Sequence, residues 1–308
     1  MKQLFVIESP LQLINAYEAL QTFSADKQII LVRLSGEHFN DNQIEKTIIK
    51  LDINNLAKIK YVTINVKKRN IIDYVKIILL KLLFFFIYKS YKTIYIGNYN
   101  SNFIRFIIPF KKNIMLIDDG SLTLNIQNKF SEKHYYNWFS IFDLVLITNQ
   151  ISIKNNYKHL NSKFIKNRIK NENIVLFIGS ALYTYQIVTE EYYLRLISNI
   201  SNRYNEKRII YIPHRSEKSS MLVRINEFNN IEVKRLEYPI ELFAINNNTI
   251  PSLIASFYST ALITLEKIYG VEAVAFKFNY ATSIYKDDID LVYEYYAKSI
   301  KIIDEDDI

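Results

Sequence analysis

Strand and helix patterns alternate along almost the whole chain, which predicts an α/β fold of two Rossmann-like, doubly wound parallel sheets. Two further observations point the same way. Short unbroken apolar runs such as Ile29-Ile30-Leu31-Val32 and Ile114-Met115-Leu116-Ile117 read as strands buried on both faces. The alternation also lapses in the polar stretch Lys166–Asn171 and then restarts, so the 308 residues divide into two halves of ordinary domain size. The expected limits are 1–155 for the first domain, 156–285 for the second, and 286–308 for a C-terminal helix with a solvated acidic tail.

Leu4–Ile7 is the first expected strand. Ser9 then offers an N-cap with Pro10 at the first helical position, and Leu13, Ala16, Tyr17 and Leu20 recur at helical spacing, so a helix is expected from Pro10 to Thr22. Ile29–Val32 is the second strand, and Asn42–Leu51 a helix with Ile44, Ile48 and Ile49 inward. A strand at Ile59–Ile64 leads to a long helix, Ile71–Tyr88. A strand at Thr93–Asn98 and a short helix, Phe103–Ile108, stopped by Pro109, precede the strand Ile114–Ile117. Ser121–Lys170 is the least regular part and holds the apolar runs Tyr135–Phe139 and Leu144–Ile147. Beyond it strands are expected at Asn173–Ile178, Arg208–Ile212, Ile231–Leu236 and Val271–Phe276, with a short strand somewhere within Thr249–Phe257. The helices between them are placed near Glu190–Tyr204, at Ile240–Ile245 and at Ser259–Tyr269, the last closed by Gly270.

Composition narrows the function. Hydrophobic residues make up 49% and aromatic residues 14%, which is globular and not disordered. The chain has no cysteine, so disulfides and thiolate metal sites are excluded, in keeping with a reducing cytoplasm. A net charge of +8 favours an anionic partner: a nucleotide, an acidic lipid surface or nucleic acid. The opening Met1-Lys2-Gln3-Leu4 lacks the pattern of a secretory signal. One segment, Ile77 to Tyr88, looks membrane-like, with Lys81 inside it and Lys76 and Lys89 flanking it. A spanning helix needs about 20 apolar residues, so this one is either a core helix or one lying on an anionic membrane surface.

The residues that could carry chemistry stand at strand ends, where open α/β sheets bind ligands. Asp118-Asp119-Gly120 follows the strand Ile114–Ile117, and paired carboxylates beside an apolar core are costly to desolvate. The alternative is a solvated turn in which one aspartate caps the next element. Gly97 and Gly179 also follow strands, beside Asn98 and Ser180. Pro213-His214-Arg215 puts an imidazole and a guanidinium at a strand end, suited to a leaving phosphate. Ser259-Thr260 begins a helix, either as a phosphate site or as plain capping. His38, His134 and His159 lack metal-ligand spacing, and neither familiar glycine-rich phosphate loop is present.

Together, Asp118-Asp119-Gly120, His214-Arg215 and Ser259-Thr260, in this order, resemble the bacterial sialyltransferases of the GT-B type. The likeness is to glycosyltransferase family 52, the lipooligosaccharide and capsule sialyltransferases related to bacterial polysialyltransferases. Ser9-Pro10-Leu11-Gln12, Gly179-Ser180 and Tyr238-Pro239-Ile240-Glu241 add to it. The sequence departs from the family pattern where Arg215 replaces a proline after His214, and where Ala181-Leu182 follow Ser180 in place of a carboxylate.

The resemblance implies a GT-B protein, its two domains facing a central cleft. It also implies inverting transfer of N-acetylneuraminic acid from CMP-sialic acid to a sugar hydroxyl of a surface glycan, with no metal or other cofactor. Asp119 would be the base, with Asp118 orienting it or the acceptor, and His214 would protonate or hydrogen-bond the departing phosphate. Gly120, Gly179, Ser180, Pro213, Arg215, Ser259 and Thr260 would bind the donor, and Glu241 its ribose hydroxyls. Ser9 and Asn98 fall on the acceptor side. The partners implied are a nucleotide sugar and a glycan acceptor, lipid-linked where the protein lies on the inner face of a bacterial inner membrane. Oligomerisation is left open. CMP-legionaminic acid, CMP-pseudaminic acid or CMP-Kdo would serve the same fold as donors. Rival readings of other classes are a non-catalytic basic nucleic-acid-binding protein and a membrane-associated scaffold.

Overall fold

A computed structural model describes residues 2–65, 70–108, 114–127, 136–147, 149–280 and 283–308. Two compact units are present, Met1–Leu160 with Glu237–Pro239, and Asn161–Leu236 with Ile240–Ile308. The chain therefore passes between units after Leu160, and the last 23 residues expected to stand apart (286–308) belong to the second unit.

The first unit runs β1 (Lys2–Ile7), α1 (Pro10–Thr22), β2 (Lys27–Leu34), α2 (His38–Lys50), β3 (Lys58–Thr63), α3 (Ile71–Ile87), β4 (Tyr91–Ile96), α4 (Asn102–Ile107), β5 (Ile114–Ile117), α5 (Ser121–Gln127), β6 (Asn137–Ser140), β7 (Ser152–Lys154) and a single turn, α6 (Lys158–Leu160). Its sheet has the order β3-β2-β1-β4-β5-β6-β7, with every neighbouring pair parallel. The strand order reverses between β1 and β4, so the crevice for a ligand opens at their carboxyl ends. β1 and β5 are buried along nearly their whole length because helices cover both faces of a parallel sheet.

The second unit runs β8 (Ile169–Ile178), α7 (Glu190–Arg203), β9 (Arg208–Ile212), α8 (Ser219–Asn226), β10 (Ile231–Val233), α9 (Phe243–Asn247), β11 (Thr249–Ser256), α10 (Ala261–Tyr269), β12 (Glu272–Phe276), α11 (Lys286–Tyr296) and β13 (Lys301–Ile303). The order β10-β9-β8-β11-β12-β13 is again all parallel and reverses between β8 and β11.

Several expectations need correction. Ile49 is 75% exposed, not inward, because only Ile44, Thr47 and Ile48 of α2 reach the core. That helix starts at His38 because Asp41 gathers the amides of Ser35 and Gly36 at 2.9 Å. The irregular stretch supplies α5, β6, β7 and α6, and the apolar run Leu144–Ile147 lies outside them. Asp304, Asp306 and Asp307 of the acidic tail are exposed, but Glu305 is held: it accepts from Arg195 Nη2 at 2.7 Å and from the Tyr192 hydroxyl, and β13 just before the tail adds a strand to the sheet. The long helix α3 is not a core helix, since only Asp73, Ile77 and Phe84 of it are buried. Pro109, Asn113, His134 and Tyr135 lie outside the described residues.

Candidate active site

At the switch point of the first unit, β1 gives way to Glu8, Ser9 and the capped start of α1. Ser9 Oγ accepts the Gln12 amide at 3.3 Å and donates to Asp119 Oδ1 at 3.1 Å. One hydroxyl thus caps a helix and holds the half-buried second carboxylate of the aspartate pair. Burial pushes the Asp119 carboxyl above the usual carboxylate range, and hydrogen bonds from Gln12 and Ser9 pull it part of the way back. Its backbone amide donates to Thr123 Oγ1 at 3.0 Å, fixing the turn at Gly120, where φ is +66°.

Asp118 faces a different set of groups. It is fully buried and accepts Ser140 Oγ at 2.6 Å and the Ile141 amide at 2.7 Å, both at the end of β6. Desolvation raises its pKa to about 7 against these opposing bonds. Its backbone carbonyl accepts from Asn15 Nδ2 at 3.0 Å, and Asn15 Oδ1 takes Asn155 Nδ2 at 2.9 Å and the Tyr157 hydroxyl at 2.7 Å. This buried network ties β5, α1 and the segment after β7 together. It fixes where Asp119 stands.

Glu8 and Arg33 were not singled out from sequence. Glu8 is buried at the end of β1, 2.5 Å from Arg33 Nε, and accepts from Ser101 Oγ at 2.9 Å. Burial raises its pKa against the guanidinium's pull, and the nearby Asp119 raises it a little further. Glu8 Oε2 and Asn98 Oδ1 are buried acceptors with no hydrogen-bond partner. They follow neighbouring strands, β1 and β4. Unsatisfied buried acceptors call for an explanation, and hydroxyl or N–H donors of a ligand would supply one. Gly97, just before Asn98, is required by space: a Cβ there would lie 2.2 Å from Gln12 Cγ.

In the second unit Gly179-Ser180 ends β8 and Phe257-Tyr258-Ser259 follows β11. Ser180 Oγ donates to the Tyr258 carbonyl at 3.0 Å and lies 3.4 Å from Ser256 Oγ, bridging the two strands at the switch point. Pro213-His214-Arg215 stands at the end of β9. The Ser216 amide donates to His214 Nδ1 at 3.2 Å, which assigns the proton of the neutral ring to Nε2. Burial and Arg215 lower the His214 pKa, so near neutral pH the ring is an uncharged hydrogen-bond donor. Beneath it Glu217, also missed from sequence, is buried. It accepts from the Tyr211 hydroxyl and the His214 amide, each at 2.6 Å, and burial raises its pKa to about 7.

Gly179 packs on that cluster, where a Cβ would sit 2.3 Å from Glu217 Oε2 and 2.6 Å from the Tyr211 hydroxyl. Gly179→Ala should destabilise the protein by roughly 1–3 kcal/mol, the usual range for overpacking, read from urea unfolding. Ser259 is clamped by the Tyr296 hydroxyl, which accepts from its amide at 2.8 Å and donates to its carbonyl. Tyr293 of the same helix, α11, donates to the Phe257 carbonyl at 2.6 Å. Their spacing of three in a tyrosine-rich helix was the available signal. Ser259 Oγ accepts the Ala261 amide at 3.3 Å, whereas Thr260, the N-cap of α10, makes no side-chain cap bond. Glu241 is buried beside α10, its pKa raised to about 7 by desolvation.

Among the described residues no group of histidine and carboxylate side chains could hold a metal ion. A cavity of about 520 Å³ lies at the amino ends of the second sheet's strands, lined in part by Lys170, Arg203, Lys207 and Lys301. It is at the opposite end of the strands from Ser180 and His214, and Glu172 and Glu272 pair with two of its lysines.

No protein-family model matches the chain, and no curated protein does. Solved structures resemble it in fold. The S. aureus MnaA–UDP structure aligns with a TM-score of 0.57 at 10% identity, covering 89% of this chain and 79% of that one. The UDP-GlcNAc 2-epimerase of Neisseria meningitidis, bound to UDP-GlcNAc, gives 0.50 at 11% identity over 94% and 85%. A glycosyltransferase from Rickettsia africae gives 0.50 at 12% identity over 91% and 80%. At such identities the likeness carries the fold. The chain is an α/β protein of the GT-B type, the fold of nucleotide-sugar glycosyltransferases and epimerases.

Proposed function

We propose that the chain is an inverting glycosyltransferase that moves N-acetylneuraminic acid from CMP-sialic acid to a sugar hydroxyl of a surface glycan. The observation that carries this reading is Asp119: a half-buried carboxylate with raised proton affinity, held by Ser9 at the switch point of the first sheet. Such a group is poised to accept a proton. The acceptor hydroxyl would lose its proton to Asp119 as its oxygen bonds to the anomeric carbon, and the bond from that carbon to the CMP phosphate would break. His214 Nε2–H would donate to the departing phosphate, with Arg215, Ser259 and Thr260 holding it. Glu241 would accept the ribose hydroxyls. Glu8 Oε2 and Asn98 Oδ1 would receive hydroxyls of the acceptor sugar. Asp118, bonded to Ser140 and Ile141, would act as the anchor of the Asp119 turn.

The test is transfer from CMP-N-acetylneuraminic acid to a panel of glycans, run beside CMP-legionaminic acid, CMP-pseudaminic acid, CMP-Kdo and UDP-GlcNAc. Turnover of CMP-Kdo alone would remove the sialyl reading. The fold shared with a UDP-GlcNAc 2-epimerase favours a second reading, a nucleotide-sugar epimerase. Interconversion of UDP-GlcNAc with no use of CMP sugars would establish that one instead. His214→Ala should weaken CMP binding by about tenfold, the loss of one good hydrogen bond, and lower transfer as well. Isothermal titration with CMP and initial rates read the two effects.

A further inference from the structure

We infer that the outer face of α3 is a docking surface for an anionic lipid bilayer. The helix packs on its core through Ile77 and Phe84 with Leu80 partly buried beside them, and most of the rest of its apolar surface faces solvent. Ile71, Ile78, Leu82 and Phe85 recur along one side, Phe86 stands beside them 76% exposed, and Phe106 of α4 extends the patch. A monomeric protein rarely leaves so many large apolar side chains together in water. At 17 residues the helix is about 25 Å long, and no described helix is long and apolar enough to cross a membrane, so a place along the interface is the one that suits it.

Charge selects the occupant. The helix's one carboxylate, Asp73, is buried against the Asn70 amide at 3.1 Å. The charges it shows to solvent are lysines: Lys76, whose Nζ donates to the Thr63 carbonyl, and Lys81, stacked 4.2 Å over the Phe106 ring. Lys89 and Lys92 are exposed just beyond its end. A second copy seated here would bring lysine toward lysine with no acid to meet it, whereas acidic headgroups meet each one. Because α3 follows the carboxyl end of β3, its first turn, with Ile71, lies at the end of the sheet that carries Glu8 and Asp119. A lipid-linked glycan would thus be the acceptor class within reach. This deepens the proposed transferase reading, and its test reads binding and not turnover, so either can fail alone.

Full-length protein should co-float with vesicles of equal parts phosphatidylglycerol and phosphatidylcholine, and far less with phosphatidylcholine alone. Phe85→Ser with Phe86→Ser should lower the partition coefficient by about tenfold for each phenylalanine. Lys81→Glu with Lys89→Glu should lower it about fivefold for each lysine, an effect that salt masks. All four side chains are exposed, so circular dichroism should be unchanged. Transfer to a water-soluble acceptor should also be unchanged. Failure of the wild type to float, or floating that neither pair weakens, overturns the inference. So does a lipid-free dimer that the phenylalanine pair dissolves, which would assign the face to a second copy.

Discussion

Exchanging Asp119 for asparagine should slow transfer by about a thousandfold while CMP binding persists, the range expected on losing a general base. The substitution keeps the shape and can still accept from Ser9 Oγ, so the turn built on Thr123 and Gly120 should stand. What it removes is the lone pair that takes the proton. The pH dependence supplies a second readout. Burial raises the Asp119 pKa, and a base must be ionised, so kcat/KM should fall as pH drops through a value above the ordinary aspartate range. Ser9→Ala removes a donor that favours the ionised form, and should move that acid limb further toward neutral pH with a smaller loss of rate. Asp119→Asn should lose the limb altogether. Initial rates across pH, with calorimetric titration of CMP, check both variants. An asparagine variant with wild-type rates would exclude Asp119 as the base.

Much of this arrangement is legible in the sequence because the strands are short, buried on both faces and bounded by helix starts. Ser9-Pro10 marks α1 and Gly270 closes α10 at φ +64°, and a local signal sufficed for each. Groups that act through long-range burial are invisible to such signals. Glu8 reads as a carboxylate that merely ends a strand until Arg33, the next position after the Ile7–Val32 register pair, is brought against it by β2. Glu217 reads as a surface residue near a helix start, yet Tyr211 and Tyr193 enclose it. The same limit works in reverse for α3. Its composition suits a core helix and an interfacial one equally, and only the packing shows that most of it faces outward, with Ile77 and Phe84 buried and Leu80 partly so. The middle stretch 121–170 hid β6 and β7 because strands of four and three residues give too few positions for a period to register.

Glu217→Gln should make the protein more stable than wild type at pH 8 and leave it close to wild type at pH 4. Burial holds the Glu217 carboxyl at about 7 against an ordinary 4.5, so between those values the folded chain binds more protons than the unfolded one. Stability from this group is therefore full below about pH 4.5, falls as pH rises across the window, and is flat above it. Two and a half units correspond to about 3 kcal/mol as an upper bound. Asp118 and Glu241 are raised to about 7 for the same reason, so the wild-type decline is shared, and the glutamine variant should lose only one share. Glutamine can replace the carboxylate's bonds. Its carbonyl accepts the His214 amide, its amide donates to Tyr211, and the 2.6 Å Tyr193–Tyr211 bond can run in either direction. Alanine cannot. Glu217→Ala leaves the His214 amide without its acceptor and opens space under Gly179, and should destabilise by about 3 kcal/mol at the lower pH and by less at pH 8, where the wild type has lost its own share. It should also loosen CMP binding, because this carboxylate holds the backbone amide of His214 from below. Urea unfolding at the two pH values, with CMP titration of each variant, separates these outcomes. A glutamine variant whose stability declines with pH as steeply as wild type would show that Glu217 is not ionised at a cost inside the fold.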